Sequence, residues 1–383
     1  MINPRVFSNP AAAEYIAPAP AGDPLAFHRM LPAYAPTPLA EAPRLAAALG
    51  LGQVWVKDET ERMGLPAFKI LGAAWASARA LARRLGQPEP RFASLAELAA
   101  LAAPLRPLSL AAATDGNHGR AVARVARLLG LGAQIFVPRG TAQARIDAIA
   151  GEGADVTVVD GGYDAAVVRS AALAGPDCLV ISDTSWPGYE DTPRDVIAGY
   201  ATIFGEIDRQ LAGAGAPQPD VVLVQVGVGA LAAAVVRHYR QPGRPSHPRI
   251  VGVEPTRAAC VLASLQAGRL VSIPEPQDSI MAGLNCGTPS LVAWPDVSAG
   301  LDMLLAIDDD LARQAMRALA RDGIVAGETG AAGAGGLIDL CSARDLAAAR
   351  GWLGLGAHSR VLLICTEGAT DPEAYDSVLA GEE

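Results

Sequence analysis

The chain has 383 residues, 51% hydrophobic and 19% charged, which excludes disordered and fibrous classes and leaves room for about two domains. Lys plus Arg number 31 against 40 Asp plus Glu, a net charge of −9, and aromatics make up only 5%. Nucleic acid is therefore not expected as the main partner, because its recognition needs a basic surface or an aromatic platform.

Short β-branched runs alternate with Ala/Leu/Arg-rich helical stretches. The Pro/Ala-rich start, up to Pro38, reads as a surface arm. Residues 54–57 read as a strand and 68–85 as a helix. Residues 86–107, punctuated by proline, read as an excursion joining helices. The Ala run 108–113 leads into a Gly-rich turn and a helix over 119–129. Strands are expected at 133–137, 155–159 and 179–182, with a helix at 142–150 between the first two. The apolar strand 221–226 is followed by a Gly turn and a helix to Arg240, then a loop at 241–248 and strands at 250–253 and 361–364. Fully apolar strands alternating with helices indicate parallel sheets covered on both faces.

The Ala-rich runs are interrupted before ~18 apolar residues accumulate, so no membrane span is expected. Met1 to Arg5 shows no basic-then-apolar export pattern. The five cysteines form no CxxC and no His/Cys cluster, so no metal site is expected and the thiols read as reduced. The expectation is a cytoplasmic protein.

Ligands of open parallel sheets bind at strand carboxyl ends. Three turns stand there: Thr114-Asp115-Gly116-Asn117-His118-Gly119, Gly227-Val228-Gly229-Ala230-Leu231 and Thr366-Glu367-Gly368-Ala369-Thr370-Asp371. The second reads either as an anion cradle, with close backbone N–H groups and a helix N-terminus, or as tight strand–helix packing. It lacks GK[ST] and the third glycine of the dinucleotide fingerprint. Lysine occurs only at positions 57 and 69. Lys69 follows Ala67-Phe68 at a helix start, where desolvation and the helix terminus are expected to lower its pKa, as a Schiff-base lysine requires. The alternative is a snorkelling surface lysine. An amine plus an anion cradle is what pyridoxal phosphate needs.

Ala67-Phe68-Lys69, Asp115 through Gly119 and Gly227 through Ala230 stand in the order found in fold-type II pyridoxal phosphate enzymes. The chain resembles that group, which contains tryptophan synthase β, threonine dehydratase and cysteine synthase. Within it, Lys57-Asp58-Glu59, Asp183-Thr184-Ser185-Trp186 with Gly188-Tyr189-Glu190, Ser279 to Leu284 with Cys286-Gly287, and Thr366-Glu367-Gly368 look like the diaminopropionate ammonia-lyase family. The motifs run from Lys57 to Gly368 and so span most of the chain.

The resemblance implies an α/β fold of two open three-layer α/β/α domains with pyridoxal 5'-phosphate in the cleft. The large domain would be 1–75 plus 191–383, and the small mobile domain 76–190. Lys69, preceded by Phe68, would carry the cofactor as a Schiff base. Gly227, Val228, Gly229, Ala230 and Leu231 would cradle its phosphate, and Asn117 would bond its phenolic oxygen. Cys365 or Thr366 would meet the pyridine nitrogen, and Glu328 would lie near the ring. The implied reaction turns D- and L-2,3-diaminopropionate into pyruvate and two ammonias. Lys69 would be the base for the L form and Asp115 for the D form. Asp183 would recognise or protonate the β-amino group. A homodimer is also implied, as is a Cys260–Cys286 pair that is either disulfide-bonded or two reduced thiols.

On local sequence alone, Asp115 and Asp183 also read as turn or helix caps, and His118 reads as a turn-stabilising hydrogen-bonder. Pro66, Thr329, Cys365 and Ala369 depart from the family pattern (Asn, Ser, Ser and Asp, respectively). The alternatives are a serine/threonine-type dehydratase of the same fold and a non-catalytic metabolite-binding protein.

Overall fold

The computed structural model of the chain describes residues 4–18, 22–87 and 92–381. Parts of the Met1–Arg5 start and of the 86–107 excursion therefore lie outside the described residues.

Among the described residues, eleven strands form two sheets. The larger contains β1 (Val6–Ser8), β2 (Leu39–Glu41), β3 (Gln53–Asp58), β8 (Val221–Gln225), β9 (Arg249–Pro255), β10 (Met303–Ile307) and β11 (Arg360–Cys365). Their order is β1-β10-β9-β8-β11-β3-β2, parallel in the middle with antiparallel β1 and β2 at the edges. The smaller sheet holds β4 (Ser109–Ala113), β5 (Gly132–Pro138), β6 (Asp155–Val159) and β7 (Cys178–Val180), all parallel, in the order β6-β5-β4-β7. The first ten helices are α1 (Pro24–His28), α2 (Pro43–Leu49), α3 (Lys69–Arg84), α4 (Leu95–Ala102), α5 (Asn117–Leu129), α6 (Gln143–Ala150), α7 (Tyr163–Ala171), α8 (Asp191–Gly199), α9 (Ala201–Gly213) and α10 (Ala230–Tyr239).

Successive side chains of a central strand feed opposite faces of its sheet. Val222 and Val224 of β8 enter the core shared with the smaller sheet, while Val221 and Leu223 enter the core on the far face. Leu362 and Ile364 of β11 follow the first pair; Val361, Leu363 and Cys365 follow the second. Helix α3 packs against both α5 and α8, so the element that begins with Lys69 is wedged between the sheets.

Two sequence expectations change here. The start up to Pro38 is part of the body: β1 pairs with β10, and Ala12, Phe27, His28 and Leu31 are buried. The excursion contains α4, whose Leu98 and Ala102 are buried. Apolar residues spaced by prolines gave no period to read, yet Ala12, Phe27, Leu31, Leu98 and Ala102 are used in packing. The edge strands and β10 were also not anticipated.

A buried ion network locks α9 to β3 and the segment after it. Glu206 accepts from Lys57 Nζ at 2.8 Å and from Arg62 Nη1 and Nη2 at 2.8 Å each, and Arg62 also reaches Glu59. All four side chains are sealed from solvent. Their mutual charge holds Glu206 down at about 2, although burial alone would raise it.

Candidate active site

A cavity opens between the two sheets, at the carboxyl ends of β4, β8 and β11. Phe68, Lys69, Asp115, Asn117, Asp183, Gly227, Val228, Gly229, Ala230, Leu231 and Thr366 all line it. Of the expected residues, Glu328 and Cys365 do not. Glu328 lines a neighbouring cleft that shares Asp115 with the cavity. Cys365 falls on the far face of β11 and packs in the second core, whereas Thr366, one residue on, reaches the cavity.

Lys69 Nζ donates to Asp183 Oδ2 at 2.6 Å. This reverses the expectation of a lowered lysine pKa. Burial does push the ammonium down, but the Asp183 carboxylate outweighs it, aided by Tyr200 and Asp115, and Lys69 is held above the usual lysine range. The partner lies 114 residues away in sequence, out of reach of local reading. Asp183 is correspondingly held below the usual carboxylate range: burial opposes ionisation, and the Lys69 charge together with the hydrogen bonds from Lys69 and Tyr163 overcomes it. Tyr163, which sequence reasoning missed, donates to Asp183 Oδ1 at 3.0 Å.

His118 sits in α5 with Nε2 2.7 Å from the Ile181 carbonyl. A carbonyl only accepts, so Nε2 carries the proton. Burial lowers the His118 pKa, so the ring is neutral and Nδ1 presents a lone pair toward Asp183 Oδ2, 3.9 Å away. The turn-stabilising reading of His118 fits this bond.

Asn117 Nδ2 donates to Glu367 Oε2. Glu367 also accepts from the Thr329 amide at 3.3 Å, and burial raises its pKa. Glu367 and Gln225 line the cavity and were not singled out from sequence. Glu367 lay within a quoted motif, which was its one signal. Gln225 Nε2 donates to Thr366 Oγ1 at 2.7 Å, linking β8 to the end of β11. Cys260 and Cys286 are both free thiols here.

The Gly227 turn has the form of an anion cradle. Gly229 adopts φ +98°, left-handed backbone that lets the chain turn into α10. A Cβ on Gly227 would stand 3.2 Å from the Gly283 carbonyl oxygen, so a side chain here would press on that neighbouring backbone. The first N–H groups of α10 have no intrahelical acceptor and carry the positive end of the helix dipole. With an amine at Lys69 and a hydroxyl at Thr366 on the same cavity, these residues fit pyridoxal phosphate. Lys69 would bind its aldehyde carbon, the Gly227–Leu231 turn its phosphate and Thr366 its ring nitrogen.

Comparison with known proteins agrees with this geometry. The family model described as "Pyridoxal-phosphate dependent enzyme" matches residues 30–366. Diaminopropionate ammonia-lyase of Salmonella typhimurium is 37% identical over 366 residues, covering 93% of this chain and 90% of that protein. The crystal structure of diaminopropionate ammonia lyase from Escherichia coli in complex with D-serine superposes with a TM-score of 0.88 at 32% identity, covering 99% of this chain and 97% of that one. The same Escherichia coli enzyme in complex with an aminoacrylate-PLP azomethine reaction intermediate gives 0.83 at 32% identity, covering 98% and 94%.

Proposed function

We propose that this chain, which belongs to the pyridoxal-phosphate dependent enzyme family, eliminates the β-amino group of D- and L-2,3-diaminopropionate. One water is consumed and pyruvate and two ammonias are released. When bound, the pyridoxal group draws electrons from Cα, which acidifies the Cα proton and lets a β-substituent leave.

The chain's own residues would do the rest. Lys69 Nζ removes the Cα proton of the L form from its side of the cavity, and an Asp115 carboxylate oxygen removes that of the D form. Asp183 holds the Lys69 ammonium and so stores the proton that the leaving amine needs. Backbone N–H groups at the start of α5 receive the substrate carboxylate, and Asn117 orients the ring. The observation that carries the reading is the Lys69–Asp183 pair at 2.6 Å in a cavity that also presents Asp115. A second carboxylate beside the lysine suits a substrate with a second amine. The 76–190 unit would be the mobile domain, and a homodimer in the cytoplasm belongs to the same reading.

Pyruvate formation from both diaminopropionate isomers, beside D- and L-serine, tests it. Turnover of both isomers is expected, with the D form lost selectively in Asp115→Asn. Turnover of serine alone would assign a dehydratase instead.

A further inference from the structure

We infer that Arg145 of α6 is a positioning residue for Asp115; the inference rests on Asp115 being the base for the D isomer. Asp115 lies on the wall between the cavity and the neighbouring cleft and lines both. Among the described residues no hydrogen bond or ion pair tethers its carboxylate. Gly283 lies close by: a Cβ there would stand 3.3 Å from Asp115 Oδ2. A base that must meet Cα from one face needs something to hold it there.

Arg145 supplies two such constraints. Its Cδ lies 3.1 Å from where a Cβ would stand on Gly116, so its stem packs directly on the turn that carries Asp115. Gly116 has φ +153° and no side chain of its own to brace that turn. Arg145 lines the same cleft as Asp115. Its Nε is shut off from solvent with no hydrogen-bond partner, and among the described residues no carboxylate oxygen pairs with it directly. Its charge instead acts at longer range on Glu367, Asp115, Glu328 and Asp371. Arg145 thus sets a second cation, beside the Lys69 ammonium, against the three other carboxylates. Lys69 is held by its own partner, Asp183, so under this inference proton removal from the L isomer does not depend on Arg145.

The test compares Arg145→Met and Arg145→Lys with the wild-type holoenzyme, measuring kcat for D- and L-diaminopropionate separately. A base displaced by a fraction of an ångström predicts a D-isomer loss of about 10- to 100-fold in Arg145→Met, with the L isomer within about twofold. Arg145→Lys should recover most of the D activity. Hydrogen–deuterium exchange, independent of turnover, should quicken over 114–119 and stay unchanged elsewhere in Arg145→Met. Equal losses for both isomers, or no change in either, would overturn the inference. Should Arg145→Met not fold, Arg145→Gln carries the same comparison. Asp115→Asn, run alongside, separates the two levels. If it spares D turnover, the assignment of Asp115 fails and this inference with it. If it abolishes D turnover while the Arg145 variants lower both isomers alike, only the role of Arg145 falls.

Discussion

Lys69 Nζ and Asp183 Oδ2 form a 2.6 Å ion pair at the floor of the cavity, with Tyr163 on the other carboxylate oxygen. The pair sets the protonation of both partners: the amine keeps its proton and the carboxylate stays ionised. In the proposed reaction, where Lys69 would exchange between the cofactor and a proton, this pair gives the amine a fixed resting place.

Asp183→Asn removes the charge while keeping the shape. Lys69 then loses the carboxylate that holds its pKa up. Turnover of both isomers should fall by about 10²- to 10⁴-fold, the usual worth of a positioned acid–base group. Steady-state pyruvate assays check this, and a loss confined to the D isomer would contradict it.

Gly229→Ala places a side chain at φ +98°. The strain costs about 1–2 kcal/mol, and the cradle's N–H groups shift with it. Titration of the stripped protein with pyridoxal phosphate should show affinity reduced about tenfold.

His28 couples stability to pH. Its ring is buried between Thr202 and the Leu71 carbonyl, and burial lowers its pKa to about 3. The unfolded chain takes up this proton near pH ~6.5, well before the folded one does. Stability from this group is therefore intact above that pH and is lost as pH falls toward 3. From pH 7 to pH 5 the loss is about 2 kcal/mol. Urea titrations at the two pH values should show a drop in the wild type that is smaller by about 2 kcal/mol in His28→Asn.

Glu206→Gln strips the counter-charge from Lys57 and Arg62, both fully buried. Breaking one partner of such a network costs about 3–5 kcal/mol. The urea midpoint should fall accordingly, while the relative rates for D and L isomers stay unchanged.

What could be read from the chain and what could not divides along contact range. The Gly227 turn, the start of α3 at Lys69 and the Thr114–Gly119 turn are written in consecutive residues, and all three arrive at one cavity. The alternation along β11 could have separated Thr366 from Cys365, had the face of the strand been known; that face depends on how the sheet is covered. The raised pKa of Lys69, the Asn117–Glu367 bond and the placement of Arg145 beside Gly116 each join segments far apart in sequence. No local pattern encodes such pairs. The N-terminal segment was misread for the opposite reason: its prolines imitate a loop, while Phe27 and His28 are core residues.

The two lysines of the chain are both spoken for, Lys57 on Glu206 and Lys69 on Asp183. No other side chain offers an ε-amine, so apart from the α-amine of the chain acylating reagents and aldehyde cross-linkers find no further amine on the outer surface. Reductive trapping with sodium borohydride would tag a single interior position, with none of the scattered background that surface amines give. The proposed active site is thus a one-address target for lysine-directed probes, and immobilisation through lysine side chains would be inefficient on this protein.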